Sequence, residues 1–206
     1  MFDLVTLINA AGYSGLFAIV FAESGLFFGF FLPGDSLLFT AGFIASTGKL
    51  EIMILIPLLF AAAVLGDNVG YAFGRRIGPA LFTKKESRFF KPAHVTHAHQ
   101  FFLRHGKKAV FLARFLPIVR TFVPIIAGVA TMPRKEFMTY NIFGGAVWVI
   151  GLLTFGYVLG KQIPNAEHYL YPIVLAIIVL SFLPTAHEVH KARRQKKPAH
   201  ATPDER

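Results

Sequence analysis

The chain has 206 residues, of which 54% are apolar and 16% are charged, whereas a soluble domain carries ~25% charged residues. The apolar residues, among them 23 phenylalanines, gather in runs that short basic stretches separate. This pattern indicates membrane spans and argues against a soluble enzyme with a single core. The absence of cysteine excludes disulfides, iron–sulfur clusters, thiolate zinc sites and cysteine nucleophiles. Residues 1–15 contain no Lys or Arg, so we expect no cleavable signal peptide and a chain that is inserted whole.

Several apolar regions are long enough for the membrane, since a helix needs about 20 residues to cross a hydrocarbon layer of ~30 Å. In chain order they are residues 12–46, 52–74, 109–132, 137–160 and 169–185. The first is broken at Pro33-Gly34-Asp35, and the third carries Arg114, Pro117, Arg120 and Pro124. A straight lipid-facing helix does not tolerate such residues, so these two regions are predicted to be broken segments. The other three are predicted to be plain spans.

The distribution of Lys and Arg predicts the orientation. Residues 75–108 are rich in both and contain one acid, Glu86, and the tail at residues 186–206 is also basic. Both stretches are therefore expected on the cytoplasmic side, and only two of the three regions between them can cross. The broken region 109–132 is predicted to be a re-entrant hairpin that lines a cavity, because irregular backbone at membrane depth needs protein or water around it. The placement of residues 1–11 stays open.

The two halves of the chain echo each other at one spacing. Ala41-Gly42 recurs as Ala127-Gly128, and GYAFGRRIG at residues 70–78 recurs as GYVLGKQIP at residues 156–164. We predict an inverted repeat, each unit a re-entrant hairpin followed by a span, with repeat one at about 12–78 and repeat two at about 109–164. Chance recurrence of small and aromatic residues is the alternative.

A second small-residue pattern lies within the first unit. Gly66, Gly70, Gly74 and Gly78 share one helix face, which favours close packing on another helix.

Charged side chains inside the apolar regions need partners or water, because each costs on the order of 3 kcal/mol at membrane depth. They are Glu23, Asp35 and Asp67 in the first half, and Arg114 and Arg120 in the second. The simplest arrangement places Glu23 and Asp35 opposite the two arginines. Arginine pairs can hold a phosphate and carboxylates can carry a proton, although a static ion-pair network is the structural alternative. Asp67 is a weaker candidate, because it can lie near the hydrated end of its helix.

Other chemistries are disfavoured. The histidines at positions 94, 97, 99 and 105 resemble a metal cluster by count, but they lie in a basic loop with few acids, so we expect neither a metal nor another cofactor. That loop and the tail can instead lie on an anionic membrane surface. The net charge of +10 does not require nucleic acid, since the basic residues flank spans as topology demands. All eight histidines fall outside the apolar runs, which argues against a lipid phosphatase or transferase.

These motifs resemble those of the DedA family, also called SNARE-associated or VTT-domain membrane proteins. The resemblance covers most of residues 20–160 and rests on the segments FLPGDSLLF, GDNVGYAFGRRIG, HQFFLRHGKK and ARFLPIVRTF, with Glu23, Phe137 and Trp148. It implies a bacterial inner-membrane protein with two opposed re-entrant hairpins, in a family linked to moving undecaprenyl phosphate or phosphatidylethanolamine between leaflets, with proton coupling. It also implies that the acidic pair is Glu23 and Asp35 and that the arginine pair is Arg114 and Arg120. Secondary candidates on the same motifs are Asp67, Tyr71, Pro33 and Pro117.

We therefore expect an all-α, multi-pass membrane domain at residues 1–185, with an additional C-terminal span and a disordered, cytoplasmic basic tail. The expected function is transport of a phosphate-bearing lipid, with Arg114 and Arg120 binding the phosphate and Glu23 or Asp35 carrying a proton. A proton or cation antiporter, a phosphatidylethanolamine transporter and a scaffold that acts through its basic surfaces are the alternatives. The expected partners are membrane lipids and protons or cations, without nucleic acid, and a homo-oligomer stays open.

Overall fold

The computed structural model describes residues 4–26, 34–83 and 108–163, and every regular element in these residues is a helix. The helices are α1 (Leu4–Gly25), α2 (Gly34–Ser46), α3 (Ile52–Thr83), α4 (Lys108–Ala113), α5 (Pro117–Val129) and α6 (Arg134–Gln162). The prediction of an all-helical membrane protein is confirmed. The predicted span at 169–185, the histidines of the basic loop, Pro33 and the tail at 186–206 lie outside the described residues.

Two of these helices are long and apolar enough to cross a membrane: Ile52–Gly78 within α3, with 27 residues, and Arg134–Gln162, with 29. Both present large apolar side chains to their surroundings. Met53 on α3 is 76% exposed and Phe143 on α6 is 63% exposed. Apolar surface of this extent is typical of a face that contacts lipid or another protein.

The region at 109–132 is broken where its prolines predict. Helix α4 ends at Ala113, a turn carries residues 114–116, and α5 begins at Pro117. Proline suits the first position of a helix because the N–H group that it lacks would have no partner there. Pro124 lies inside α5. In the region at 12–46, α1 and α2 are likewise separate helices, and α1 is itself kinked at Gly12, whose φ of 57° suits a residue without a side chain.

The helices pack across the two halves of the chain. Helix α2 lies mainly on α6, and α5 lies mainly on α3. Helices α1 and α3 of the first half also pack on each other, as do α4 and α6 of the second. Helix α2 of the first half therefore packs on the long helix α6 of the second half, and α5 of the second half packs on the long helix α3 of the first. Nearly every residue of α2 from Gly34 to Ala45 is buried as a result.

Glycines allow close contact between these packed helices. A Cβ atom on Gly42 of α2 would collide with the carbonyl group of Leu153 on α6, and one on Gly128 of α5 would collide with the carbonyl of Tyr71 on α3. Backbones can approach this closely only where both surfaces are small, which is a common way to pack helices in membranes.

The long helices contribute reciprocal contacts. Gly74 on α3 meets the carbonyl of Ile125, and Gly156 on α6 meets the carbonyl of Phe39. These contacts make Gly74 the counterpart of Gly156, whereas the echo in the sequence aligns Gly156 with Gly70, one helical turn away. The predicted close packing of the α3 glycine face is confirmed, because Gly66 meets the backbone of α1 and Gly74 meets that of α5.

Candidate functional site

Arg120 joins three helices at the middle of the structure. From α5 its guanidinium forms an ion pair with Glu23 of α1. Its Nη1 also donates to Oδ1 of Asp35, in the first turn of α2, at 2.8 Å. Glu23 is 1% exposed, whereas the side chain of Asp35 is 30% exposed. One guanidinium therefore bridges a sealed carboxylate and an accessible one.

Trp148 of α6 completes this group. Its indole Nε1 donates to Oδ1 of Asp35 at 2.7 Å, so that one oxygen accepts from both Trp148 and Arg120. The ring also lies under the arginine, with Cζ of Arg120 at 4.4 Å from the ring centroid, which is a cation–π contact. We call Glu23, Asp35, Arg120 and Trp148 the Arg120 centre.

The local sequence makes room for these charges. Gly34, the first residue of α2, lies against the Glu23 carboxylate, and a Cβ atom there would collide with it. Asp35 follows at once, in the first turn of α2, where the partial positive charge of a helix N-terminus stabilises a carboxylate. The Gly34-Asp35 pair thus brings the two acids to the same arginine.

Arg114 forms a second buried group. It lies in the turn after α4, and its Nη2 donates to Oδ2 of Asp67 on α3 and to Oδ1 of Asn141 on α6. The amide nitrogen of Asn141 donates in turn to the carbonyl oxygen of Val64 at 3.2 Å. Arg114, Asp67 and Asn141 are all buried. We call these three residues the Arg114 centre.

Glycines again allow a charged side chain to lie against a helix. A Cβ atom on Gly144 would be 3.0 Å from Cδ of Arg114, and one on Gly145 would be 3.6 Å from Cζ. Cζ of Arg114 also lies 5.9 Å from the centroid of the Trp148 ring. The two centres are therefore neighbours that face the same tryptophan.

The predicted arrangement was right for Arg120 and wrong for Arg114. Arg114 does not pair with Glu23 or Asp35, because α4 packs on α5 and α6 rather than on α1 and α2. Asp67 takes that role instead. Asp67 does not lie at a hydrated helix end, since α3 continues to Thr83 and Asp67 is 5% exposed.

Tyr71 lies apart from both centres. Its hydroxyl donates to the carbonyl of Met132 at 2.5 Å and accepts from Nη1 of Arg75 at 2.9 Å. Its ring stacks on Phe137 with 4.4 Å between centroids. Tyr71 therefore ties α3 to the turn between α5 and α6. Pro117 is the first residue of α5 and ends the turn that carries Arg114.

Sequence reasoning did not select Asn141 or Trp148 as site residues. The signal for Asn141 was an amide in an otherwise apolar span, and Trp148 is the single tryptophan of the chain. Both belong to α6, whose pattern predicts a plain span and says nothing about which of its polar atoms face the charges of other helices.

Some buried polar atoms find no hydrogen-bond partner among the described residues: Glu23 Oε2, Thr40 Oγ1 and Arg114 Nε. The same part of the chain contains no group of three or more His, Asp or Glu residues that could hold a metal ion. The centres are thus built from ion pairs, one indole and one amide, with an oxygen of Glu23 that can accept a proton.

The fold and these buried ion pairs define a helical membrane protein with a charged interior. Residues 32–158 match the family model described as the VTT domain. The chain is 44% identical over 199 residues to an uncharacterized membrane protein of Mycobacterium leprae, covering 95% of this chain and 89% of that one. It is 42% identical over 194 residues to Protein DedA of Escherichia coli, covering 93% and 88% of the two chains.

The inner membrane protein YqjA of Escherichia coli is 41% identical over 164 residues, 77% of this chain and 74% of YqjA. The chain belongs to the DedA family of VTT-domain membrane proteins. No solved structure matches it significantly.

Proposed function

We propose that the protein moves a phosphate-bearing lipid, best represented by undecaprenyl phosphate, between the leaflets of the bacterial inner membrane, and that protons drive the movement. The observation that carries the proposal is the Arg120 centre, in which an arginine with a side chain only 10% exposed is shared by two carboxylates, and one of them, Asp35, is accessible. Arginine is the side chain whose planar fork matches phosphate oxygens.

Charge balance couples the proton to the phosphate. With both carboxylates ionised, the Arg120 centre holds one positive and two negative charges. Adding a phosphate to this group at membrane depth is unfavourable unless the acids are neutralised. Protonation of Asp35 and Glu23 would release the guanidinium for the phosphate, and loss of the protons would return it to the acids. Carboxylates and phosphate would therefore occupy Arg120 in turn.

The proposal includes the topology predicted above. Helices α2 and α5 have 13 residues each, about 20 Å of helix, which is short of a ~30 Å hydrocarbon layer. Together with α1 and α4 they would form two re-entrant hairpins that enter from opposite faces. The seating of α2 on α6 and of α5 on α3 supports an inverted repeat of this kind. The C-terminus would be cytoplasmic after the span at 169–185.

In this proposal the arginines have different roles. Arg120 binds the phosphate, and Glu23 and Asp35 carry the proton. Arg114, held by Asp67 and Asn141, keeps α3 and α6 in place beside the transport path.

The test uses proteoliposomes that contain undecaprenyl phosphate or phosphatidylethanolamine, with and without a pH gradient. A reagent specific for the headgroup measures how much lipid is exposed in the outer leaflet over time. We expect wild type to move undecaprenyl phosphate faster with the gradient, and Arg120→Ala to abolish the movement. Lys161→Ala is the matched control, because it removes an exposed positive charge at the end of α6 and should move lipid at the wild-type rate.

The other outcomes discriminate between functions. Wild-type movement by a folded Arg120→Ala variant would overturn the role of the arginine. Movement of phosphatidylethanolamine but not of undecaprenyl phosphate would identify phosphatidylethanolamine as the substrate instead. Ion flux in vesicles without a phosphate-bearing lipid would favour an antiporter, and release of inorganic phosphate from a prenyl phosphate would indicate an enzyme. If neither lipid moves and no ions flow, a scaffold is favoured.

A further inference from the structure

A basic cleft lies away from both arginine centres, where the second half of α3 faces the start of α6. It has a volume of about 560 Å³, which is within the range of small-molecule sites. Among the described residues, those that line it are Asn68, Tyr71, Ala72, Arg75, Arg76 and Arg134. Half of them are arginines and none of the six is an acid. We call these six residues the arginine cleft.

One of the three guanidiniums is held in place by a buried partner. Tyr71 is 3% exposed, and because its hydroxyl hydrogen is committed to the carbonyl of Met132, its oxygen accepts from Nη1 of Arg75 at 2.9 Å. A guanidinium has five N–H donors, so this bond fixes the arginine and uses one of them. Arg75 is therefore oriented before any ligand arrives, which lowers the entropic cost of binding.

The other two arginines approach the cleft from different helices. Arg76 follows Arg75 on α3, and Arg134 is the first residue of α6, whose N-terminus has no hydrogen bond from a capping side chain. The dipole at such a helix end favours an anion near Arg134. Glu136, in the same turn of α6, does not line the cleft.

Topology alone does not account for this convergence. The rule that places basic residues on the cytoplasmic side asks for Lys and Arg near the ends of spans, but not for a shared cleft or a buried tyrosine that orients one of them. Three like charges around one cleft repel each other, and an anion between them lowers this repulsion. A phosphate group, with several oxygens for bidentate arginine contacts, has the matching charge and geometry.

We propose that the arginine cleft is a second anion site, which binds a phosphate group carried either by a lipid headgroup at the membrane surface or by free inorganic phosphate. The site does not depend on the transport proposal, because the Arg120 centre contributes none of its lining residues. Tyr71 acts in it as a positioning residue for Arg75.

The experiment measures binding without transport, using the full chain in phosphatidylcholine nanodiscs. In one arm inorganic phosphate is titrated by calorimetry. In the other arm the nanodiscs also contain phosphatidic acid, and native mass spectrometry counts the lipid that stays bound after release into detergent. We expect saturable binding in at least one arm. Binding in the first arm alone identifies free phosphate as the ligand, and binding in the second alone identifies the lipid headgroup.

The variants locate the site. Arg76→Gln and Arg134→Gln together should weaken binding by roughly tenfold or more, since each removes a charge-assisted contact. Tyr71→Phe should weaken it less, and Arg75→Gln should abolish any further effect of Tyr71→Phe. Lys161→Gln, at the other end of α6 and exposed, should bind as wild type does.

Two results would overturn the proposal: no binding of either probe by wild type, or unchanged binding by the Arg76→Gln, Arg134→Gln protein. If that double variant does not fold, Arg76→Gln alone is measured, because Arg76 is exposed and its loss leaves the packing intact. A failure of this site is distinguishable from a failure of lipid transport, because the Arg76→Gln, Arg134→Gln protein would lose binding in nanodiscs while it still moves lipid in proteoliposomes.

Discussion

The Arg114 centre and the Arg120 centre contain the same kind of ion pair but differ in charge and in access. Arg114 is matched by one carboxylate and one neutral amide, and all three side chains are sealed. Arg120 is shared by two carboxylates, and one of these is 30% exposed. A closed and neutral pair can only hold helices together, whereas an accessible group with one negative charge in excess can exchange protons. The Arg120 centre differs from the Arg114 centre in its excess negative charge and in the exposure of Asp35, and these two properties suit it to proton exchange.

The largest expected effect comes from removing the acid of the sealed pair. Asp67→Ala leaves Arg114 buried without its counterion, and such losses cost about 3–5 kcal/mol. The unfolding free energy, measured by titration of the purified protein with a denaturing detergent, should fall by this order. Asp35→Ala is the matched comparison and should cost far less, because Arg120 keeps Glu23 and water reaches the site. Equal losses in the two variants would contradict the distinction.

A smaller effect is expected for Asn141→Ala. It removes a neutral acceptor from Arg114 but leaves Asp67 in place, so we expect a loss of about 2 kcal/mol, the usual value for a buried hydrogen bond to a charged group. Asn68→Ala is the control. Asn68 donates to the same carbonyl oxygen of Val64, at 2.7 Å, but does not contact Arg114. If the two variants melt at the same temperature, the bond from Asn141 to Arg114 contributes nothing.

The smallest effect on stability is expected at the open centre. Trp148→Phe keeps a ring under Arg120 and removes the indole donor to Asp35, which water can replace because Asp35 is accessible. We expect a loss of about 1 kcal/mol together with a several-fold slower lipid movement in proteoliposomes. A fall in transport with little change in stability would support a functional role for the Arg120 centre, in contrast to the structural role of the Arg114 centre. A large loss of stability with unchanged transport would reverse the roles of the two centres.

The sequence was informative where one chemical rule decides the outcome. Prolines predicted the break before α5, and the cost of charge in an apolar run singled out all five ionised residues of the two centres. Pairing could not be predicted in the same way, because any carboxylate satisfies an arginine and only the packing decides which one is near. Arg114 meets Asn141 because α4 lies on α6, and it meets Asp67 because α3 packs on the same helix. The apolar pattern of α6 did not specify that face.

The predicted repeat shows the same limit. The echoes in the sequence pair Gly156 with Gly70, whereas the glycine contacts pair Gly156 with Gly74. Helix registers one turn apart present almost the same pattern of small residues, so backbone contacts are needed to choose between them.

The seating of α2 on α6 has a consequence for the order in which the chain is made. Trp148 and Asp35 bond across 113 residues of sequence, and a ribosome adding ~5–20 residues per second needs roughly 6–23 s to cover that distance. During this interval α2 and its carboxylate have left the ribosome without the helix that covers them. The contacts that bury α2 are thus absent until α6 has been made, and a chain truncated before α6 lacks them. The packing of the described residues is therefore complete only after α6 has been synthesised.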